Sequence, residues 1–447
     1  MEFLTLEKHQ KRIDNINEAA KGNRDYTFRH RINGYLPGQA TYNLGDYPAR
    51  FSIEPTEYDY NLLKSLAENG VELIQIHEEW NDAIRHLGAD KFTSFDPEGM
   101  QKFVDLCHFF GLKIIPYIST GYFSALDPDF KDSFIGEDHA IHSSYYHLHK
   151  CNPGSAAWRE YLLPRTFAAL DKYGFDGIYN DWGFDGINRY PRDERGVTHF
   201  EYETEIEDLL NLVYGEVKKR GGIYKLHADY NSAPKCFDRV YDYLWIGEGV
   251  KGGEAGIGKE YLPYVVPCWH MSYKGAFDPD FYYASVIPFM QFPLLKTGRP
   301  LTGKGIHEDN IDYVIGEENS EYNFMAKIEK HMQENPDGPY VYSLWSSIPD
   351  DPDEYGRWSK YMALYKPMIK ESSIVYVEIK DCDAVLSEVP SNVIVSQFIN
   401  DETYMVVSNL SEKDYKLDLK QEWTDRQSGE RKPSYTIKPG TILFLMK

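Results

Sequence analysis

The chain has 447 residues, a hydrophobic fraction of 42% and a formal net charge of −22. That length suits a barrel of ordinary size with a small appended module, and without a run of 18 apolar residues no membrane span is expected. The charge argues against partners held through phosphates, because a polyanion would be repelled over most of the surface, so nucleic acid is not an expected partner.

In chain order, residues 1–22 read as a charged amphipathic helix anchored by Leu4, Ile13 and Ile16, and Gly22-Asn23 supplies a turn. With the residues up to 48 this forms an expected helical lead-in. From 49 to 372 short apolar runs alternate with helical stretches, the signature of repeated βα units. The strand-like runs are Ala49–Ile53, Val71–His77, Leu112–Tyr117, Gly177–Asp181, Ile223–Asp229, Tyr243–Ile246 and Tyr340–Leu344. An eighth is expected around Val265–Cys268 or Val286–Phe292. Helix candidates between them open on Asp96-Pro97 and Asn152-Pro153 and close on Gly70, Gly111 and Gly174. The sum is a (β/α)8 TIM barrel, with a doubly wound sheet as the alternative; no G-x-G-x-x-G follows a first strand to favour a nucleotide fold. Over 373–447 the period changes to two, with turns at Asn400-Asp401, Ser428-Gly429 and Pro439-Gly440, which predicts a carboxy-terminal antiparallel β-sandwich.

Parallel barrels build their sites at the carboxyl ends of the strands, and there this sequence is acidic and aromatic. The second strand ends His77-Glu78-Glu79-Trp80, the third reaches Tyr117, the fourth ends Asn180-Asp181-Trp182, the fifth His227-Ala228-Asp229 and the sixth runs on to Glu248. Trp269-His270 and Trp345 follow. A glycosidic bond is cleaved between two carboxyl groups, one donating a proton and the other acting as nucleophile or base. Asp181 and Glu248, two strands apart, can face each other across the mouth as that catalytic pair. Asp229 competes with Glu248 for the acid role and otherwise binds a sugar hydroxyl. His77, Glu78 and Trp80 read equally as hydroxyl binders with a stacking ring or as an ion-pair network with a core tryptophan. Tyr117, Asn180, Trp182, Trp269, His270 and Trp345 complete the expected substrate-binding set.

The stretch from His139 to His149 carries four histidines, but no third ligand follows at a recognised spacing, so no metal and no cofactor is expected. Five cysteines (Cys107, Cys151, Cys236, Cys268, Cys382) lack any C-x-x-C pair and read as reduced, buried thiols. Met1–Thr5 has none of the successive features of a secretory signal, which predicts a cytoplasmic protein; a trimmed secreted form would read the same. Self-association into a homo-oligomer is compatible with the sequence.

The segments His77–Trp80, Cys107–Lys113 and Asn152-Pro153 through Tyr173–Asp181 resemble retaining glycoside hydrolases of the melibiase-like, α-galactosidase-related group, especially its bacterial members. The resemblance covers roughly residues 49–370. It implies a glycosidase acting on an α-linked sugar by double displacement, with Asp181 as nucleophile and Glu248 as acid/base, and a glycoside or oligosaccharide as substrate. The pattern departs at one place: α-galactosidases carry Lys-x-Asp at the nucleophile, and this chain carries Tyr179-Asn180-Asp181. Two other readings stand beside it, a non-catalytic carbohydrate-binding barrel and a metal-dependent hydrolase using the histidine-rich loop.

Overall fold

The computed structural model of the chain describes residues 5–45, 52–81, 92–124, 127–135, 141–143, 148–181, 200–228, 239–247, 256–268, 278–300 and 353–447. Two compact units emerge, one of residues 39–248 and 294–352, the other of residues 1–38, 249–293 and 353–447. In chain order the described elements begin with α1 (Leu6–Gly22), β1 (Asn23–Arg31), β2 (Gln39–Asn43), α2 (Glu57–Glu68), β3 (Leu73–Ile76), α3 (Pro97–Phe109) and β4 (Lys113–Ser119). They continue with β5 (Tyr122–Ser124), β6 (Ile141–Ser143), β7 (Leu148–Lys150), α4 (Ala156–Tyr173), β8 (Gly177–Asp181), α5 (Phe200–Lys219), β9 (Ile223–Ala228), β10 (Tyr243–Ile246) and β11 (Val265–Pro267). The last are α6 (Pro279–Val286), β12 (Leu295–Gly298), α7 (Glu354–Tyr365), β13 (Ile374–Cys382), β14 (Val393–Ile399), β15 (Thr403–Asn409), β16 (Tyr415–Asp425), β17 (Arg431–Ile437) and β18 (Thr441–Met446).

One sheet has eight strands in the order β11-β10-β9-β8-β4-β3-β2-β12. From β2 to β11 each strand neighbours the next parallel strand along the chain, and β12, the last described, returns to pair in parallel with β2, the first. That is the winding of a (β/α)8 barrel. The first strand is β2, upstream of the expected Ala49–Ile53. The last described is β12, and Tyr340–Leu344 lies outside the described residues. Both escaped the apolar pattern for one reason. β2 reads Gln-Ala-Thr-Tyr-Asn and β12 Leu-Lys-Thr-Gly, because every second residue faces a polar barrel interior.

Local signals place the strands that carry the site. α2 opens on a capping box in which Thr56 and Asp59 satisfy each other's backbone N–H groups. Asp96 caps α3 ahead of Pro97, Ser155 caps α4, and α4 ends on Gly174 in the left-handed conformation, which turns the chain directly into β8. β8 begins on Gly177 at φ 146, where a Cβ would stand 1.8 Å from the carbonyl oxygen of Ile223. Only glycine lets β8 and β9 close at that point. On the outer side of the sheet Arg299 forks onto Asp59 at 2.9 Å from both Nε and Nη2, and the Tyr42 hydroxyl donates to the same carboxylate at 2.7 Å. Burial alone would raise the Asp59 carboxyl, but the bonds from Arg299, Thr56 and Tyr42 outweigh it and hold the group below its usual range.

The second sheet is antiparallel and seven-stranded, in the order β1-β13-β14-β15-β18-β16-β17. β16 pairs with β17 along Tyr415–Asp418 and again, after a register shift, at Trp423 and Thr424, and with β18 at Thr424 and Asp425. Tyr376, Val395, Val407, Leu417, Trp423, Tyr435 and Leu445 belong to one buried apolar cluster on this sheet. The expected lead-in thus contributes differently along its length: α1 and β1 to the unit that holds this sheet, β2 to the parallel sheet. No described helix is long and apolar enough to cross a membrane. Cys107, Cys151, Cys268 and Cys382 are buried free thiols, and Cys236 lies outside the described residues.

Candidate active site

Parallel pairing sets the inward residues of neighbouring strands in rows. Tyr117 is level with Tyr179, Tyr179 with Lys225, and Lys225 with Tyr243. Two residues further along each strand, and on the same face, come Ser119, Asp181, His227 and Trp245. The upper row stands at the carboxyl end of the sheet, where barrels hold their chemistry.

Asp181 ends β8 and is 6% exposed. Its Oδ1 lies 2.5 Å from Nδ1 of His227, which is 8% exposed. An ionised carboxylate only accepts, so the imidazole is the donor through Nδ1. The Tyr179 hydroxyl stands 3.3 Å from the same nitrogen. Around this pair the rings of His77, Tyr179, His227 and Trp245 form a continuous wall, with centroids 4.9 to 5.6 Å apart for Tyr179–Trp245, His227–Trp245, His77–Trp245 and His77–Tyr179. The Ser119 hydroxyl and the Trp245 indole N–H, at the ends of the upper row, are buried without a hydrogen-bond partner among the described residues. Groups of that kind are satisfied by a polar ligand or by water.

His77 is buried, and burial first, then the positive charges of Lys225, His227 and Lys296, push its pKa down to about 3. Its Nδ1 comes within 3.9 Å of Glu78, but a neutral imidazole makes no ion pair there. His77 therefore serves as a neutral hydrogen-bonding group rather than a proton donor near neutrality. Glu79, next but one along, is 1% exposed, and burial pushes its carboxyl up to about 8. Its Oε1 accepts from the backbone N–H of Leu44 at 3.2 Å.

The expected residues separate into three sets. His77, Tyr117 and Asp181 come together on the inner face, with Glu78 half-buried after His77. Trp80 and Asn180 are occupied elsewhere. Trp80 is fully buried between Tyr173 and Phe175 with its Nε1 donating to the Tyr117 carbonyl at 3.0 Å, and so takes the core role weighed for it. Asn180 faces outward between strands, giving Nδ2 to Thr120 Oγ1 at 2.8 Å and Tyr224 OH at 2.6 Å and accepting from the Thr120 N–H. Glu248, Trp182, Asp229, Trp269, His270 and Trp345 lie outside the described residues. Sequence reasoning placed Ser119, His227 and Trp245 at strand ends but gave them no role in the site. The signal was the period of two: His227 falls two positions before Asp229, on the face that the strand end shares with Asp181.

Among the described residues no group of three His, Cys, Asp or Glu side chains is arranged to hold a metal ion. Of the histidine-rich stretch only the backbone strands β6 and β7 are described, as an antiparallel pair.

The fold and this row of side chains define the class, a (β/α)8 barrel with an appended antiparallel sheet and an acid ending its fourth strand. No protein-family model matches the chain, and no curated protein matches it. Among solved structures it is similar to the trehalose-6-phosphate hydrolase of Bacillus licheniformis, at 12% identity and a TM-score of 0.54 over 93% of this chain and 100% of that one. A maltogenic α-amylase of Thermotoga neapolitana matches at 9% identity and 0.54, over 92% and 99%. A trehalulose synthase variant matches at 12% and 0.55, over 92% and 99%. At such identities the likeness shows the fold.

Proposed function

We propose that the protein is a glycoside hydrolase that cleaves an α-linked glycosidic bond by double displacement. The observation that carries the reading is Asp181, a buried carboxylate at the carboxyl end of the fourth barrel strand, held by His227 at 2.5 Å. Barrels of the same architecture over nearly the whole chain, a trehalose-6-phosphate hydrolase and a maltogenic α-amylase, support it.

In this scheme an oxygen of Asp181 attacks the anomeric carbon while the bond to the leaving oxygen breaks, and Glu248 gives that oxygen its proton. The resulting glycosyl-enzyme is opened by water, whose proton returns to Glu248 as the sugar leaves Asp181. Asp229 is the other acid that fits the donor's place. His77 and Tyr117, on the inner face, with Ser119 and Trp245, bind sugar hydroxyls. The melibiase-like reading gains from one detail of register. Tyr179 occupies the lysine position of the Lys-x-Asp pattern, and a lysine, Lys225, stands level with it on the next strand.

The test is a screen of aryl α- and β-glycosides, with product stereochemistry followed by proton NMR. Retention on an α-glycoside is expected. Asp181→Ala should lower turnover at least about 10⁴-fold on every substrate. Glu248→Ala should keep glycosylation of substrates with good leaving groups and recover turnover with added azide. Full activity in Asp181→Ala, or inversion, would refute the assignment; an unaffected Glu248→Ala would pass the acid role to Asp229.

A further inference from the structure

We infer that His227 is a positioning residue for Asp181, fixing the plane of the attacking carboxylate. The inference rests on the reading of Asp181 as nucleophile, and it adds a residue that neither the sequence patterns nor the resemblance assigned.

The torsion that turns an aspartate's carboxylate is broad and nearly two-fold, so such a group at a strand end samples many orientations unless something holds it. His227 holds it. The β8–β9 pairing aligns Asn180 with Leu226, which sets Asp181 and His227 abreast on the inner face. The 2.5 Å contact uses Oδ1 and Nδ1. A charge-assisted bond this short, between two side chains each 9% exposed, is strong and little screened. The imidazole is itself confined: the Tyr179 ring lies against it at 6.4 Å and 26°, the Trp245 ring at 5.0 Å and 37°. Nδ1 carries one hydrogen, and the 2.5 Å partner takes it in preference to the Tyr179 hydroxyl at 3.3 Å. A nucleophile fixed in this way enters the reaction near its attack geometry, and misplacement of about 1 Å costs on the order of 100-fold in rate.

Two variants separate the hydrogen bond from the ring. His227→Phe keeps an aromatic between Tyr179 and Trp245 and removes the donor; His227→Asn brings an amide N–H to the place of Nδ1. With 4-nitrophenyl α-D-galactopyranoside and α-D-glucopyranoside as probes, His227→Phe should lose about 100-fold in kcat with KM changed less than about threefold. His227→Asn should regain at least about tenfold over it. Wild-type kcat in His227→Phe, or no gain in His227→Asn, overturns the inference. A second measurement does not depend on turnover. In protein labelled with 15N-histidine, the Nδ1 proton of His227 should resonate far downfield and vanish in Asp181→Ala, which has no acceptor oxygen; its absence from the wild type, or its survival in Asp181→Ala, overturns the pairing. Full turnover in Asp181→Ala would sink the nucleophile reading instead, while the proton resonance still reported on the pair.

Discussion

Glu79 shows how one buried group couples the barrel mouth to pH. Its folded pKa of about 8 exceeds the unfolded carboxyl value near 4.3, so between those values the folded chain keeps a proton that the unfolded chain releases. The stability it contributes is complete below about pH 4 and drains away as pH rises toward 8. Glu79→Gln, which is always neutral, removes that loss. The melting temperature of Glu79→Gln should therefore pull ahead of wild type progressively from pH 5 to pH 8, by an amount worth a few kcal/mol at the top of the range. A constant difference across the series would mean that the carboxyl is not kept protonated by burial. His77 works in the opposite sense: with a folded pKa near 3 and an ordinary value of 6.5, its contribution grows as pH rises between those values, equally in wild type and Glu79→Gln, so it cancels from the difference between them.

At the level of elements, β8 is positioned by its closeness to β9 as much as by its apolar residues. Gly177 and Gly111 both have positive φ, at 146 and 73. A Cβ at Gly111 meets nothing within 4 Å, whereas at Gly177 it meets the backbone of Ile223. Gly111→Ala should accordingly cost only the left-handed backbone penalty, about 1–2 kcal/mol. Gly177→Ala has to push two strands apart, and should cost about 3 kcal/mol or more and disturb the Asp181–His227 contact at the far end of β8. Denaturant melts of the two variants check the ranking; equal losses would show that the sheet yields easily there.

At the scale of the whole molecule, the first and last parts of the chain close one sheet. β1 pairs with β13 from Asn23 opposite Cys382 to Arg31 opposite Ile374, and Arg24 bonds both Asp381 and Asp383. Removing residues 1–31 would strip that strand away and leave the edge of β13 open, a template for pairing with another chain. The truncated protein should melt several degrees lower and self-associate in light scattering. A monomer with unchanged melting would show that β1 is dispensable.

How far the sequence reached can be seen strand by strand. β3, β4, β8, β9 and β10 were legible because each carries a short cluster of apolar or aromatic residues, although Gln75, Lys225 and His227 interrupt it, and glycine and capping signals marked the helices between them. Asp181 was legible because a strand that stops on an acid is a local pattern. The sequence by itself thus determined the alternating βα plan, the switch to period-two strands after 372 and the acid on the fourth strand. Tertiary structure alone decided that β12 pairs with β2, since the sequences Gln-Ala-Thr-Tyr-Asn and Leu-Lys-Thr-Gly carry too few apolar residues to stand out as strands. It alone decided that Asn180 and Trp80 are spent on protein partners while His227 reaches Asp181. Those are contacts between residues distant in the chain, and they exist only once strand pairing has fixed the register.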